Sequence, residues 1–253
     1  MAHPIIPWPG GKRRLLQQLL SDIPTHKSYV EVFAGGAALL LAKEPAASEV
    51  LNDLKRDLVL LYRCVQHHLD ELVRQFRWAL TSREMFRWAQ LQHVDTLTDI
   101  QRAARFYYLQ KLAFGGKASG QTFGVAAQAP PRLNLLRMEE DLSQAHLRLA
   151  RVTIEHLEWQ ACVDRYDRAG TLFFLDPPYW KTQGYGDAFG RDQYDLLAKA
   201  MSAMKGRAIL TINDHPEMAR VFRPFRVQKV GIKYTIGGMG KSAATGELIV
   251  RNW

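Results

Sequence analysis

The residues best suited to chemistry are Asp176-Pro177-Pro178-Tyr179, which follow directly on the apolar run Leu172-Phe173-Phe174-Leu175. Two consecutive prolines remove two backbone donors and stiffen the turn, leaving carbonyl oxygens with no commitment to a helix. A carboxylate beside such carbonyls is an array of acceptors. An exocyclic amino group offers two N–H donors. One carboxylate oxygen and one carbonyl can hold it while Tyr179 stacks on the ring that carries it. The plain alternative for four residues taken alone is a rigid surface turn.

Two further apolar runs end in complementary features. Tyr29-Val30-Glu31-Val32-Phe33 stops at Ala34-Gly35-Gly36, and Glu49-Val50-Leu51-Asn52 stops at Asp53. Glycines after a strand let the backbone approach a ligand closely, and an acid ending the next strand can accept hydrogen bonds from ribose hydroxyls. In open parallel sheets ligands bind beyond the carboxyl ends of the strands, so Gly35, Gly36, Asp53 and Asp176 are expected to converge on one site for an adenosine-containing cofactor. Each feature alone is weak, since a glycine there can be a tight turn and Asp53 a helix N-cap. The glycine turn departs from the G-x-G-x-x-G fingerprint, which argues against a nicotinamide enzyme. A second glycine segment, Gly237-Gly238-Met239-Gly240-Lys241-Ser242, looks like a phosphate loop, but Thr235 stands where its first glycine is needed and a strand follows. A nucleoside-triphosphate site is rejected.

The elements that must position these residues follow from periodicity. Leu15, Leu16, Leu19, Leu20 and Ile23 mark a helix after Pro9-Gly10-Gly11, Ala37 to Lys43 a second, and Leu54, Leu58, Leu61 and Val65 one face of a third. Strand signals vanish from about His67 to Lys111, where amphipathic segments rich in Phe, Trp and Arg suggest inserted helices. Phe114 to Asn134 reads as a long loop or hairpin, of a kind usually kept for function. Strands return at Val152-Thr153-Ile154, Leu172 to Leu175, Ala208 to Ile212 and Leu248-Ile249-Val250. Such near-continuous apolar runs suit buried parallel strands. Asn213-Asp214, at another strand end, has two readings, a wall of the base pocket or a cap on the next helix, and the cap is the expected role.

The chain of 253 residues is 47% apolar and 23% charged, as in globular enzymes, and carries a formal net charge of +9. Lys and Arg displace counterions from a phosphate backbone, so a polyanion is a favoured partner, with a basic but inert surface as the bland alternative. Cys64 and Cys162 lie far apart, and the eight histidines have no triad or metal spacing; His67-His68 are expected at the surface. A reducing cytoplasm and no metal are the expectations. The start lacks a secretory pattern and no apolar run approaches membrane-spanning length, so no membrane is expected.

Taken in order, Pro7-Trp8-Pro9-Gly10-Gly11-Lys12, Glu31-Val32-Phe33-Ala34-Gly35-Gly36, Asn52-Asp53 and Asp176-Pro177-Pro178-Tyr179 resemble the Dam-type DNA adenine methyltransferases, over nearly the whole chain. The resemblance implies S-adenosylmethionine as cofactor, with Trp8, Lys12, Phe33, Gly35 and Gly36 against it, Asp53 on its ribose, and Asp176 between the cofactor and adenine sites. Without it, Trp8 would read as a core aromatic and Lys12 as a solvated lysine. Asp176, Pro177, Pro178 and Tyr179 become the catalytic residues. The fold implied is α/β, a Rossmann-like, seven-stranded, mostly parallel methyltransferase sheet. Residues 1–66 and 146–253 would form the catalytic domain and 67–145 an inserted helical and hairpin target-recognition region. That interval holds Arg74, Arg77, Arg83, Arg87, Arg102, Arg105 and Lys111. Arg105, Lys117 and Gln121, with Lys241 before the last strand, are the expected contacts to double-stranded DNA, although about half of the arginines would form an ordinary solvated face. The hairpin is poorer in Asn, Arg and Tyr than the family leads one to expect. The target base must flip out of the duplex, and one flipped base needs one pocket, so a monomer is expected. Transfer to cytosine N4 and a lapsed DNA-binding relative are the alternatives.

Overall fold

The computed structural model describes residues 2–124, 130–181, 189–233 and 244–253. Its first structured stretch is a single 3-10 turn at Lys12–Arg14 running into α1 (Leu16–Asp22). β1 (Ser28–Glu31), α2 (Ala38–Ala42) and β2 (Ser48–Asn52) follow, as the alternation of apolar runs and glycine turns dictates. α3 (Arg56–His67) buries Leu58, Leu61 and Val65, whereas Leu54 precedes the helix and is exposed, so it does not belong to that face.

Between the second and third strands lie α4 (Leu69–Arg74), α5 (Arg83–Leu91), α6 (Asp99–Leu112), a 3-10 turn at Phe114–Gly116 and α7 (Leu135–Leu149). α6 starts at a capping box in which Thr98 and Gln101 satisfy each other's backbone N–H groups. Among the described residues of the stretch expected as a loop or hairpin, an antiparallel bridge joins Ala113 to Phe123. The expected division at residue 146 falls inside α7, and Phe76, Phe86, Tyr107 and Leu142 from this interval share one apolar cluster with Leu39, Tyr62, Phe174 and Ile249 from the rest of the chain.

The chain then returns to the sheet with β3 (Val152–Glu155), α8 (Trp159–Tyr166), β4 (Thr171–Leu175), α9 (Arg191–Ala203), β5 (Arg207–Asn213), α10 (Pro216–Val221), β6 (Arg226–Lys233) and β7 (Ala244–Arg251). Sheet order is β3-β2-β1-β4-β5-β7-β6, with β7 antiparallel to both of its neighbours and the remaining pairs parallel. All of β4 is buried, which is why it reads as an unbroken apolar run. β6 escapes that signal because it is an edge strand: Arg226, Gln228 and Lys229 are exposed, and charge is what protects an open edge. Cys64 and Cys162 are free and buried, and among the described residues no helix is long and apolar enough to cross a membrane.

A buried charge cluster ties α7 to the sheet. Glu49 on β2 takes Lys43 Nζ at 2.6 Å and both terminal nitrogens of Arg148 at 2.5 and 2.9 Å, and it also accepts the Ala46 N–H. Removing one member of such a cluster leaves uncompensated buried charge. Glu49→Ala is therefore expected to lower the unfolding free energy by about 3–5 kcal/mol, read from urea denaturation; a loss under about 1 kcal/mol would show that the cluster is solvated.

Candidate active site

The strand order reverses between β1 and β4, and the crevice at that switch point is where an open α/β sheet receives its ligand. A cleft of about 1780 Å³ lies there, lined among others by Trp8, Lys12, Phe33, Gly35, Gly36, Asp53, Asp176, Pro178 and Tyr179. The expected convergence of strand ends thus occurs, and it draws in the N-terminal loop as well. Pro177, between Asp176 and Pro178, is buried.

The loop is fixed by Lys12. Far from being a solvated lysine, it is 3% exposed, with Nζ 2.7 Å from Asp176 Oδ2, 2.5 Å from the Gly10 carbonyl and 4.8 Å from the centre of the Tyr179 ring. Thr211 Oγ1 donates to Asp176 Oδ1 at 2.8 Å. Burial raises the Asp176 carboxyl above the usual range, Lys12 and Thr211 oppose that rise, and the charge of Glu247 adds to it.

The glycine turn is shaped by Trp8. Gly35 has φ +47°, and a Cβ there would stand 2.7 Å from two atoms of the Trp8 indole, so neither the conformation nor the space admits a side chain. Trp8 is half-buried against this turn and 6.4 Å from the Phe106 ring, combining the core and cleft roles that the sequence left as alternatives. Asp53 holds the turn from the other side, accepting the Gly35 N–H at 3.0 Å and the Lys55 N–H at 2.8 Å; burial raises its pKa. Tyr62 donates to the Gly35 carbonyl at 2.7 Å. Phe33 meets Phe189 edge to face at 5.9 Å.

Several roles in the site were not visible in the motifs. Tyr194 donates to the Pro178 carbonyl at 2.6 Å, and Asn213 grips the Trp180 backbone at both N–H and carbonyl, at 3.0 and 3.2 Å. Asn213 is therefore a clamp on the tetrapeptide loop and not the expected N-cap; His215 caps α10, and Asp214 pairs with Lys229. Asn52 bridges the Val32 and Leu157 carbonyls. Polar residues interrupting or ending apolar strands, such as Thr211 and Asn213, were the available signal.

The inserted region divides. Arg105 turns inward, with Nε 2.5 Å from the Ala89 carbonyl in the last turn of α5, and Arg102 pairs with Asp57 at 2.5 Å. Arg105 thus ties α6 to α5 within the insert, and Arg102 ties α6 to α3. Lys117 is exposed, and Gln121 donates to the Lys117 carbonyl and to Gln110 Oε1, both at 2.9 Å. Arg74, Arg77, Arg83 and Arg87 face solvent, as do His67 and His68. Lys241 lies outside the described residues. Among those described, no group of three His, Cys, Asp or Glu is placed to hold a metal ion.

Glu31 is buried at the edge of the cleft and accepts from the Tyr29 hydroxyl at 2.9 Å and the Leu40 N–H at 3.0 Å through one oxygen. Burial pushes its pKa up to about 8, with the Asp176 charge acting in the same direction and Tyr29, Leu40 and Lys43 against it. The folded chain keeps this proton where an unfolded one has released it, so the stabilisation is complete below the ordinary carboxylate pKa and is lost as pH rises through about 8. Glu31→Gln has no proton to lose. Its thermal midpoint minus that of the wild type is expected to become more positive between about pH 5 and about pH 8.5; a pH-independent difference would place the titration elsewhere.

Comparison with known proteins bears on this geometry. The chain is 25% identical over 265 residues to the type II methyltransferase M.CviBI of Paramecium bursaria Chlorella virus NC1A, covering 99% of both chains. It is 24% identical to the type II methyltransferase M.MjaIII of Methanocaldococcus jannaschii, again covering 99% of both, and 23% identical to the retron Ec67 DNA adenine methylase of Escherichia coli, covering 97% of this chain and 90% of that one. The family model described as D12 class N6 adenine-specific DNA methyltransferase matches residues 8–229. Running from Trp8 through the glycine turn, the inserted helices and the proline tetrapeptide into β6, that match takes in the walls of the cleft, and the chain belongs to the D12 class of N6 adenine-specific DNA methyltransferases.

Proposed function

We propose that the methyl donor is S-adenosylmethionine, bound over the Gly35 turn with its ribose toward Asp53, and that the acceptor is an adenine flipped out of duplex DNA against Asp176 and Tyr179. The observation that carries this reading is the convergence of Gly35, Asp53 and Asp176 on one cleft. The residues fit a nucleoside donor: the glycine turn and the Trp8 packed on it form one wall, an acid stands beside them, and a cleft of about 1780 Å³ exceeds the roughly 300–1,000 Å³ of a single small-molecule site, leaving room for a base as well. When bound, the donor supplies a methyl group already activated on a sulfonium.

The chain's own work is positioning. The adenine amino nitrogen is a poor nucleophile because its lone pair is delocalised into the ring. Acceptors on both N–H groups draw it toward tetrahedral geometry and stabilise the positive charge it gains. Asp176 is one acceptor, held in orientation by Lys12 and Thr211. The Pro178 carbonyl is engaged by Tyr194, and the Pro177 carbonyl is assigned as the second acceptor. Tyr179 stacks on the base, whose extrusion costs a few kcal/mol.

DNA approaches over the basic side of the cleft, where Arg13, Arg14, Lys111 and Arg132 line the wall. Burial lowers the pKa of Lys111, Asp141 opposes that shift, and Arg13 and Arg132 lower it further. Exposed Lys117 extends this surface. One cleft serves one base, so the enzyme acts as a monomer.

Methyl transfer from labelled S-adenosylmethionine to unmethylated DNA is expected to yield N6-methyladenine by nucleoside mass analysis; N4-methylcytosine, or no labelled nucleoside, would overturn the reading. Asp176→Ala is expected to lose at least about 10²-fold in turnover while keeping its circular dichroism spectrum, and near-full activity would sink the acceptor mechanism. Arg13→Gln and Arg132→Gln are each expected to flatten the slope of log binding constant against log salt by about 0.9. Unchanged slopes would move the phosphate contacts elsewhere.

A further inference from the structure

Gln110, on α6, has a fully buried side chain whose amide is committed on every side. Its Nε2 donates to the Pro7 carbonyl at 2.8 Å and to the Gly116 carbonyl at 2.7 Å, and its Oε1 accepts from Gln121 Nε2 at 2.9 Å. Three separate segments meet in this amide: the N-terminal loop that leads into Trp8 and Lys12, the 3-10 turn after α6, and the loop that carries Lys117 and Gln121. Pro7 and Gln121 lie in loops and Gly116 is the last residue of a three-residue 3-10 turn, so a buried carbonyl such as that of Gly116 needs a donor supplied from outside. Gly116 also presses on Pro7 directly. A Cβ at Gly116 would stand 3.0 Å from Pro7 Cβ, and its φ is +68°. Gln121 continues the network outward, because its carbonyl accepts from Gln90 Nε2 on α5 at 2.9 Å.

We propose that Gln110 is a positioning residue for methyl transfer, setting the DNA-facing loop in register with the loop that carries Lys12, and that Gln121 acts through Gln110 and not by contact with DNA. The inference rests on the assignment of the cleft to methyl transfer. Its physical basis is that reacting groups must meet within a fraction of an ångström, so that a displacement of about 1 Å can cost about 10²-fold in rate. An apolar side chain of the same length would fill the same space without fixing either loop, whereas a fully satisfied buried amide allows a single arrangement.

A double-mutant cycle with Gln110→Met and Gln121→Ala tests this, run below the melting transition of every variant. If both act through one network, each single variant loses about tenfold in kcat/KM for DNA and the double variant loses no more than about thirtyfold in all, against about a hundredfold for independent effects. Binding of S-adenosylhomocysteine in the absence of DNA separates positioning from general loosening. Gln121→Ala is expected to leave it within about twofold, because its contacts lie on the DNA-facing side. Gln110→Asn replaces Gln110→Met if the apolar variant does not fold. Additive losses, or losses under about twofold in both single variants, would overturn the proposal. Failure of the wild type to methylate adenine in DNA would appear before any substitution is made, and would fail the reaction assignment and this proposal with it.

Discussion

The ion pair between Lys12 and Asp176 is the interaction on which the site depends. It joins the end of β4 to a loop at the other end of the chain, and it is buried on the lysine side. Breaking a buried pair by removing one partner costs about 3–5 kcal/mol, because the other charge is left without compensation. The pair is thus a strong constraint on where the loop sits, and Trp8 rides with it onto the glycine turn. One electrostatic contact thereby shapes both halves of the cleft: the bare backbone at Gly35 and the oriented carboxylate at Asp176.

Around that pair, side-chain amides and hydroxyls hold irregular backbone. Parallel strands end in loops whose carbonyls and N–H groups have no ladder partner, and a buried group of that kind must be bonded. Asn52 binds the Val32 and Leu157 carbonyls, Asn213 binds Trp180, Tyr194 binds Pro178, and Tyr62 binds Gly35. Each bond is worth only about 1 kcal/mol net, but each removes a freedom from a loop that must present atoms to within a fraction of an ångström. The same logic places Arg102 and Arg105 inside the insert, where planar guanidinium groups satisfy Asp57 and the last carbonyls of α5. The cations left for DNA are those around the cleft wall and on the exposed faces.

Much of this was legible in the chain. The alternation of apolar runs with glycine turns determined the parallel sheet, since a strand buried on both faces must be apolar throughout, as β4 is. The order of the Trp8, Gly35, Asp53 and Asp176 motifs determined the family and, with it, the reaction. β6 was not legible because an exposed edge strand is written in charged residues, and α7 was hidden behind the proline-rich loop that precedes it.

What tertiary structure decided was the partner of each polar side chain. Sequence spacing says that Lys12 lies near a glycine turn but not that it will be buried against a carboxylate 164 positions away, and nothing local separates Arg105, which holds a helix end, from Arg87, which meets solvent. Gln110 carries no motif at all. Its meaning comes from three loops that meet only when the sheet and the insert have packed together, because hydrogen bonds are short and directional and long-range neighbours are set by the whole core rather than by any segment of it.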